Sequence, residues 1–187
     1  MKAGHTLTPT GTAARYPAPI LVIHWLTLVL IVVSYIAMEA HEAFPRGSEA
    51  RALAIWAHYQ TGLSVLVLTF ARIAFRLATH PAPPIIPAPA KWQATASHAV
   101  HFGIYALLIA MPFIGWALQS ADGKAVALLG VPLPALVEPS KILSGQLEEV
   151  HETLGNALYV LIFVHAAAAL AHHFVVRDNT MKRMLPG

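Results

Sequence analysis

Four apolar stretches constrain this chain more than anything else in it, each long enough for the roughly 20 helical residues that cross a bilayer. They run approximately from Pro19 to Met38, Leu53 to Leu77, Ala94 to Leu118 and Val150 to Val176. A soluble domain carries about 25% charged residues to cover its surface. Here only 11% are charged and 57% are hydrophobic, with a mean hydropathy of +0.60, so lipid is the expected solvent. The predicted fold class is all-α, an integral membrane four-helix bundle forming one domain over residues 1–187. The first stretch is too long for the apolar part of a cleaved signal peptide. No small-residue cleavage site follows it before Glu39 and Glu42, so it is expected to remain as a helix. Pro81 to Pro89 reads as a polyproline connector between helices 2 and 3, and Gly123 to Pro139 separates helices 3 and 4.

Charge placement orients the bundle. Lys2, Arg15, Arg72, Arg76, Lys91, Arg177, Lys182 and Arg183 fall on one side, against Arg46, Arg51, Lys124 and Lys141 on the other. Eight against four predicts cytoplasmic termini. The acidic residues, Asp178 excepted, fall on the opposite side. A net charge of +3 without a basic run excludes a nucleic-acid partner. With no cysteine, disulfides, thiolate metal sites, iron–sulfur clusters and covalently attached haem are excluded too.

The histidines carry the chemistry, because an ionisable side chain within a membrane is costly and is a functional hypothesis by default. His151 and His165 are 14 residues apart on helix 4, close to four turns, so they share a face about 21 Å apart along the axis. One helix thus offers two imidazoles at two depths, and without thiols the natural occupant of such a bundle is bis-imidazole haem b. Each level needs a second imidazole. His58 enters near the level of His151, and depth favours His24 over the deeper His101 and His98 opposite His165. Two haem b groups are therefore expected, on His58 with His151 and on His24 with His165. His41 and His80 fall in loops and are not expected to be ligands. A zinc carrier would also want acidic residues inside the membrane, and helices 1 to 3 hold none.

Gly62 and Gly155 follow His58 and His151 by four residues, so both ligand faces lose a side chain one turn along. Either a flat macrocycle lies there or the glycines serve helix contact. Arg72 follows His58 by 14 residues and stands at the depth of His165, either facing a haem propionate or quinone oxygen or simply marking the positive interface.

These residues also resemble a known family. Ile23-His24-Trp25, Phe44-Pro45-Arg46, Pro83-Pro84-Ile85-Ile86-Pro87, His151-Glu152-Thr153-Leu154 and the run from His165 to His172-His173 look like the bacterial cytochrome b561 family, and within it the superoxide oxidase branch. The resemblance covers nearly the whole chain. It implies a di-haem b protein of the inner membrane that passes electrons from periplasmic superoxide to ubiquinone, with ligands at His24, His58, His151 and His165.

On that reading quinone is expected at the cytoplasmic side, where His172 lies seven residues after His165 and Arg72 could orient an oxygen. Superoxide is expected at the outer face, drawn by cations of which Arg46 and Lys141 are the expected catalytic pair. The approach to His151 is acidic, at Glu148 and Glu149. The second function class is an electron-relay subunit linking a periplasmic dehydrogenase, as partner protein, to quinone. Short outer loops favour the first class, since a docking face needs about 800 Å² per partner.

Overall fold

The computed structural model describes residues 15–79 and 82–185. Lys2 and His80 lie outside them, and with them one cation of the charge count and one of the two histidines set aside. Four helices long and apolar enough to cross a membrane are present: α1 (Ala18–Ala43), α2 (Glu49–Ala78), α3 (Lys91–Ala121) and α4 (Lys141–Ala171). Ser48 caps α2, its side chain accepting from the Arg51 N–H at 3.2 Å. The Gln93 side chain reaches back to the Ala90 N–H at 2.8 Å to open α3.

Helix α4 begins nine residues before the expected Val150, where the Ser140 side chain accepts from the Leu143 N–H at 3.3 Å. Hydropathy marks only where lipid begins, whereas the cap and the helix-forming run after it extend the rod into the polar region. The same effect puts His41 in the last turn of α1 and not in a loop. At the other end α4 passes into one π turn, His172–Val176, closed by Arg177 in the left-handed region at φ 60°.

The stretch expected to be only a separator holds a two-stranded antiparallel hairpin, β1 (Val126–Leu128) and β2 (Val131–Leu133). Leu129 and Gly130 turn it at φ 48° and 85°, the positive values a two-residue hairpin turn demands. Gln60 of α2 pins it from both sides, donating to the Ala127 carbonyl and accepting from the Leu129 N–H, each at 2.8 Å.

Large apolar side chains point outward, among them Val29, Ile36, Phe102 and Phe163, as a bundle dissolved in lipid requires. Inside, one residue from each helix meets in the core: Ile31, Val65, Leu108 and Leu158. Each lies seven residues, or about 10 Å, from a histidine on its own helix: His24, His58, His101, and both His151 and His165. The bundle is therefore layered, with an apolar floor between two histidine levels. Helices α1 and α2 pack closely, as do α3 and α4, while α4 makes few close backbone approaches to α1 or α2. The histidine levels bridge that gap.

The end holding Arg15, Lys91 and the last residues is closed by the tail. Asn179 donates to the Pro84 carbonyl at 3.1 Å and accepts from the Ile86 N–H at 2.8 Å. Arg183 donates to the Pro83 carbonyl, and Trp25 donates to the Met184 carbonyl at 2.8 Å. The proline connector thus serves as the platform on which the tail lies.

Candidate functional site

At the outer level a cavity of about 630 Å³ opens between the helix pairs, with Met38, His58, Gly115 and His151 around it and the apolar core as its floor. Its volume lies within the range of cofactor pockets. The rings of His58 and His151 face each other across it, centres 6.0 Å apart and planes at 81°. An ion bound by two imidazole nitrogens at about 2 Å each needs ring centres about 6 Å apart. The pair therefore stands at the separation a bis-imidazole centre demands.

The contacts of the two Nδ1 atoms differ. Nδ1 of His58 is hydrogen-bonded to the Ser34 hydroxyl at 2.9 Å, leaving Nε2 for a ligand. Nδ1 of His151 is buried and has no hydrogen-bond partner of good geometry among the described residues. Around Gly62 a Cβ would meet nothing within 4 Å, and Gly62 and Gly155 both line the cavity. The space at Gly62 suits a flat macrocycle, whereas a Cβ on Gly155 would lie 3.5 Å from Met111 Cε, an ordinary contact between α4 and α3. Gly115 of α3 serves the site differently: a Cβ there would stand 3.2 Å from His151 Cε1, so its absence gives the ring its place. Tyr35 ties α1 to α4 beside the site, donating to the Gly155 carbonyl at 2.7 Å.

At the inner level His24 and His165 stand 6.3 Å apart at 82°. Depth alone does not separate His24 from His101, because His101 comes nearer still, 5.0 Å from His165. The two rings stand level. Yet 5.0 Å is shorter than the roughly 6 Å that two imidazoles on opposite sides of one ion need, and His101 is exposed. Arg72 lies at this level over the Tyr105 ring, 5.6 Å from its centre, within electrostatic reach of His24 and His165. One layer further in, His172 is bound to the buried Asp178. Among the described residues no three His, Asp or Glu side chains are arranged to hold a lone metal ion.

The outer rim carries both signs. Lys124 lines the cavity with Glu39, Glu42, His41, Asp122, Glu148 and Glu152, whereas Arg46 and Lys141 are exposed at the same end outside its lining. Asp122 accepts from Lys124 at 2.8 Å, Ser144 at 2.6 Å and Lys141 at 3.5 Å. The Lys124 and Ser144 bonds hold its carboxyl well below the usual carboxylate range, and Asp122 in turn pushes the Lys124 ammonium up. Sequence reasoning counted Lys124 among the outer cations without singling it out, and missed Gly115, Ser34 and the Asp178 contact. The seven-residue spacing that links His58 to Val65 and Arg72, and His101 to Leu108 and Gly115, is the signal that could have exposed Gly115.

Known proteins resemble the chain along its length. A family model described as prokaryotic cytochrome b561 matches residues 15–187. Cytochrome b561 homolog 1 of Escherichia coli (strain K12) is 36% identical over 172 residues, 92% of this chain and 97% of its own length. Probable superoxide oxidase CybB of Yersinia pestis is 36% identical over 164 residues, 88% of this chain and 92% of its own. Cytochrome b562 of Cereibacter sphaeroides is 28% identical over 168 residues, covering 87% and 90%. With that match spanning both histidine levels, the chain belongs to the prokaryotic cytochrome b561 family, multi-pass membrane proteins that bind b-type haem.

Proposed function

We propose that the chain, as one unit over residues 1–187, is a superoxide oxidase of the bacterial inner membrane with both termini in the cytoplasm. The observation that carries this reading is the pair of imidazole couples, 6.0 and 6.3 Å apart, on opposite sides of one apolar floor. His58 and His151 would hold an outer haem b, and His24 and His165 an inner one. Each haem, when bound, supplies an iron that accepts and releases one electron at a time. The balance is two superoxide ions, one ubiquinone and two protons giving two dioxygen molecules and one ubiquinol.

The chain's own residues do the rest. Superoxide is an anion and crosses lipid poorly, so it is collected at the outer rim, where Lys124 stands at the cavity and Arg46 and Lys141 add attraction from further out. Acidic neighbours confine that attraction to a local patch. Ile31, Val65, Leu108 and Leu158 exclude water between the two levels, so that ions do not follow the electrons. At the inner face His172 and Arg72 receive the quinone, the imidazole supplying its protons. The relative named a probable superoxide oxidase supports this choice of donor.

The test is the purified protein with a steady superoxide source and a soluble ubiquinone. The expected result is two haem b per chain and superoxide consumption that depends on quinone. Haem reduction only by a copurifying periplasmic dehydrogenase, with no superoxide consumption, would replace this reading by the electron-relay subunit.

A further inference from the structure

Asp178 is the single acidic side chain at the inner end among the described residues. It is also buried, its side chain only 1% exposed. The other charged side chains at that end, Arg15, Arg72, Arg76, Lys91, Arg177, Lys182 and Arg183, are all cations. Arg76 and Arg183 lie over the Tyr16 ring, and Arg183 also holds the Pro83 carbonyl. The acid's contact is with an imidazole: Oδ2 lies 2.6 Å from Nδ1 of His172, while Oδ1 accepts from the Thr180 N–H at 2.8 Å. Burial pushes the carboxyl up, but the bonds from Thr180 and His172 outweigh it and hold the group below its usual range. A carboxylate can only accept, so Nδ1 of His172 must carry the proton.

The backbone builds this pair deliberately. The π turn that begins at His172 and the left-handed Arg177 reverse the chain, and the Asp178 N–H returns to the His172 carbonyl at 3.2 Å.

We propose that Asp178 is a positioning residue for quinone reduction, fixing the ring of His172 with Nδ1 protonated and Nε2 presented as the proton donor. This rests on the reading that quinone binds beside His172. As the quinone takes its two electrons, one at a time, from the inner centre, Nε2–H gives a proton to a quinone oxygen. The ring is left neutral with its proton kept on Nδ1 by Asp178. Nε2 is then recharged from water at the inner face, and a second round delivers the second proton. The carboxylate stays ionised throughout and stabilises the imidazolium state.

The experiment uses the full haem-loaded chain with a soluble ubiquinone as acceptor, and ferricyanide as an acceptor that takes no proton. A general acid is worth about 10²–10⁴ in rate, so Asp178→Asn should slow quinone reduction about tenfold or more with KM little changed. Haem content and ferricyanide reduction should stay as they were. His172→Gln should slow the reaction similarly, and the double variant should be no slower than His172→Gln alone, because the two act as a unit. If Asp178→Asn is as fast as the unaltered chain while His172→Gln is slow, the pairing is overturned and the quinone site stands. If both are as fast, the quinone site at His172 falls and the pairing with it. Should Asp178→Asn fail to load haem, ¹⁵N-histidine NMR of the unaltered, dithionite-reduced chain decides. His172, assigned by the signal missing in His172→Gln, should when neutral carry its proton on Nδ1. A proton on Nε2 overturns the proposal.

Discussion

Gly115 on α3 faces His151 on α4 so closely that a Cβ would stand 3.2 Å from the ring's Cε1. Alanine there forces the ring to give by a few tenths of an ångström, and a branched side chain has no room at all. Gly115→Val should therefore displace His151, overpacking at a cost of about 1–3 kcal/mol. The expected outcome is loss of the outer haem alone, with the haem count falling from two towards one per chain. A redox titration showing two unshifted haems in Gly115→Val would mean that the ring does not depend on this glycine.

The two histidines opposite His165 give contrasting variants. His24→Ala should remove the inner haem and leave the outer one spectroscopically intact. His101→Ala should keep both, because His101 is exposed and its ring, 5.0 Å from that of His165, is too near for the two to take opposite sides of one iron. The reverse pattern in a pyridine haemochrome count would transfer the inner ligand to His101.

Lys124 is the cation at the cavity, so Lys124→Gln should slow superoxide consumption several-fold, and more than Arg46→Gln or Lys141→Gln does. Exposed charges are screened beyond about 8–10 Å at physiological ionic strength, so the rate should fall as salt rises. Haem reduction by a neutral donor serves as the control and should change in neither case. Equal effects of the three substitutions would mean that the attraction is spread over the whole rim.

Asp122 joins the end of α3 to the start of α4 through Ser144 and Lys141, and to the hairpin side through Lys124. Hydrogen bonds to a charged group are worth about 1.5–3 kcal/mol, less here because both lysines are largely exposed. Asp122→Ala should lower the thermal midpoint. The folded carboxyl titrates below its unfolded value, so its contribution is complete above the unfolded carboxylate range and is lost as pH falls through the folded value. The gap between the two melting curves should accordingly be the same at pH 8 as at pH 5 and narrow only in stronger acid. A gap that closes by pH 5 would show that the carboxylate is not held in its charged form.

The sequence by itself determined that there are four membrane helices, that a proline connector breaks them, and that α4 carries imidazoles at two depths. Those features are local. Hydropathy is a sum over adjacent residues, proline forbids helix wherever it stands, and a 14-residue spacing fixes one helix face without reference to any neighbour. Partner choice across helices was not local. His101 stands beside His165, which no residue count along one helix can foresee, and the ring separations of 6.3 Å for His24 and 5.0 Å for His101 exist only between helices. The same holds for Gly115 making room for His151, for Lys124 and not Lys141 standing at the cavity, and for Asp178 returning to His172. Each joins residues whose approach depends on how two elements cross or how a turn reverses the chain, and such distances exist only once the bundle has closed.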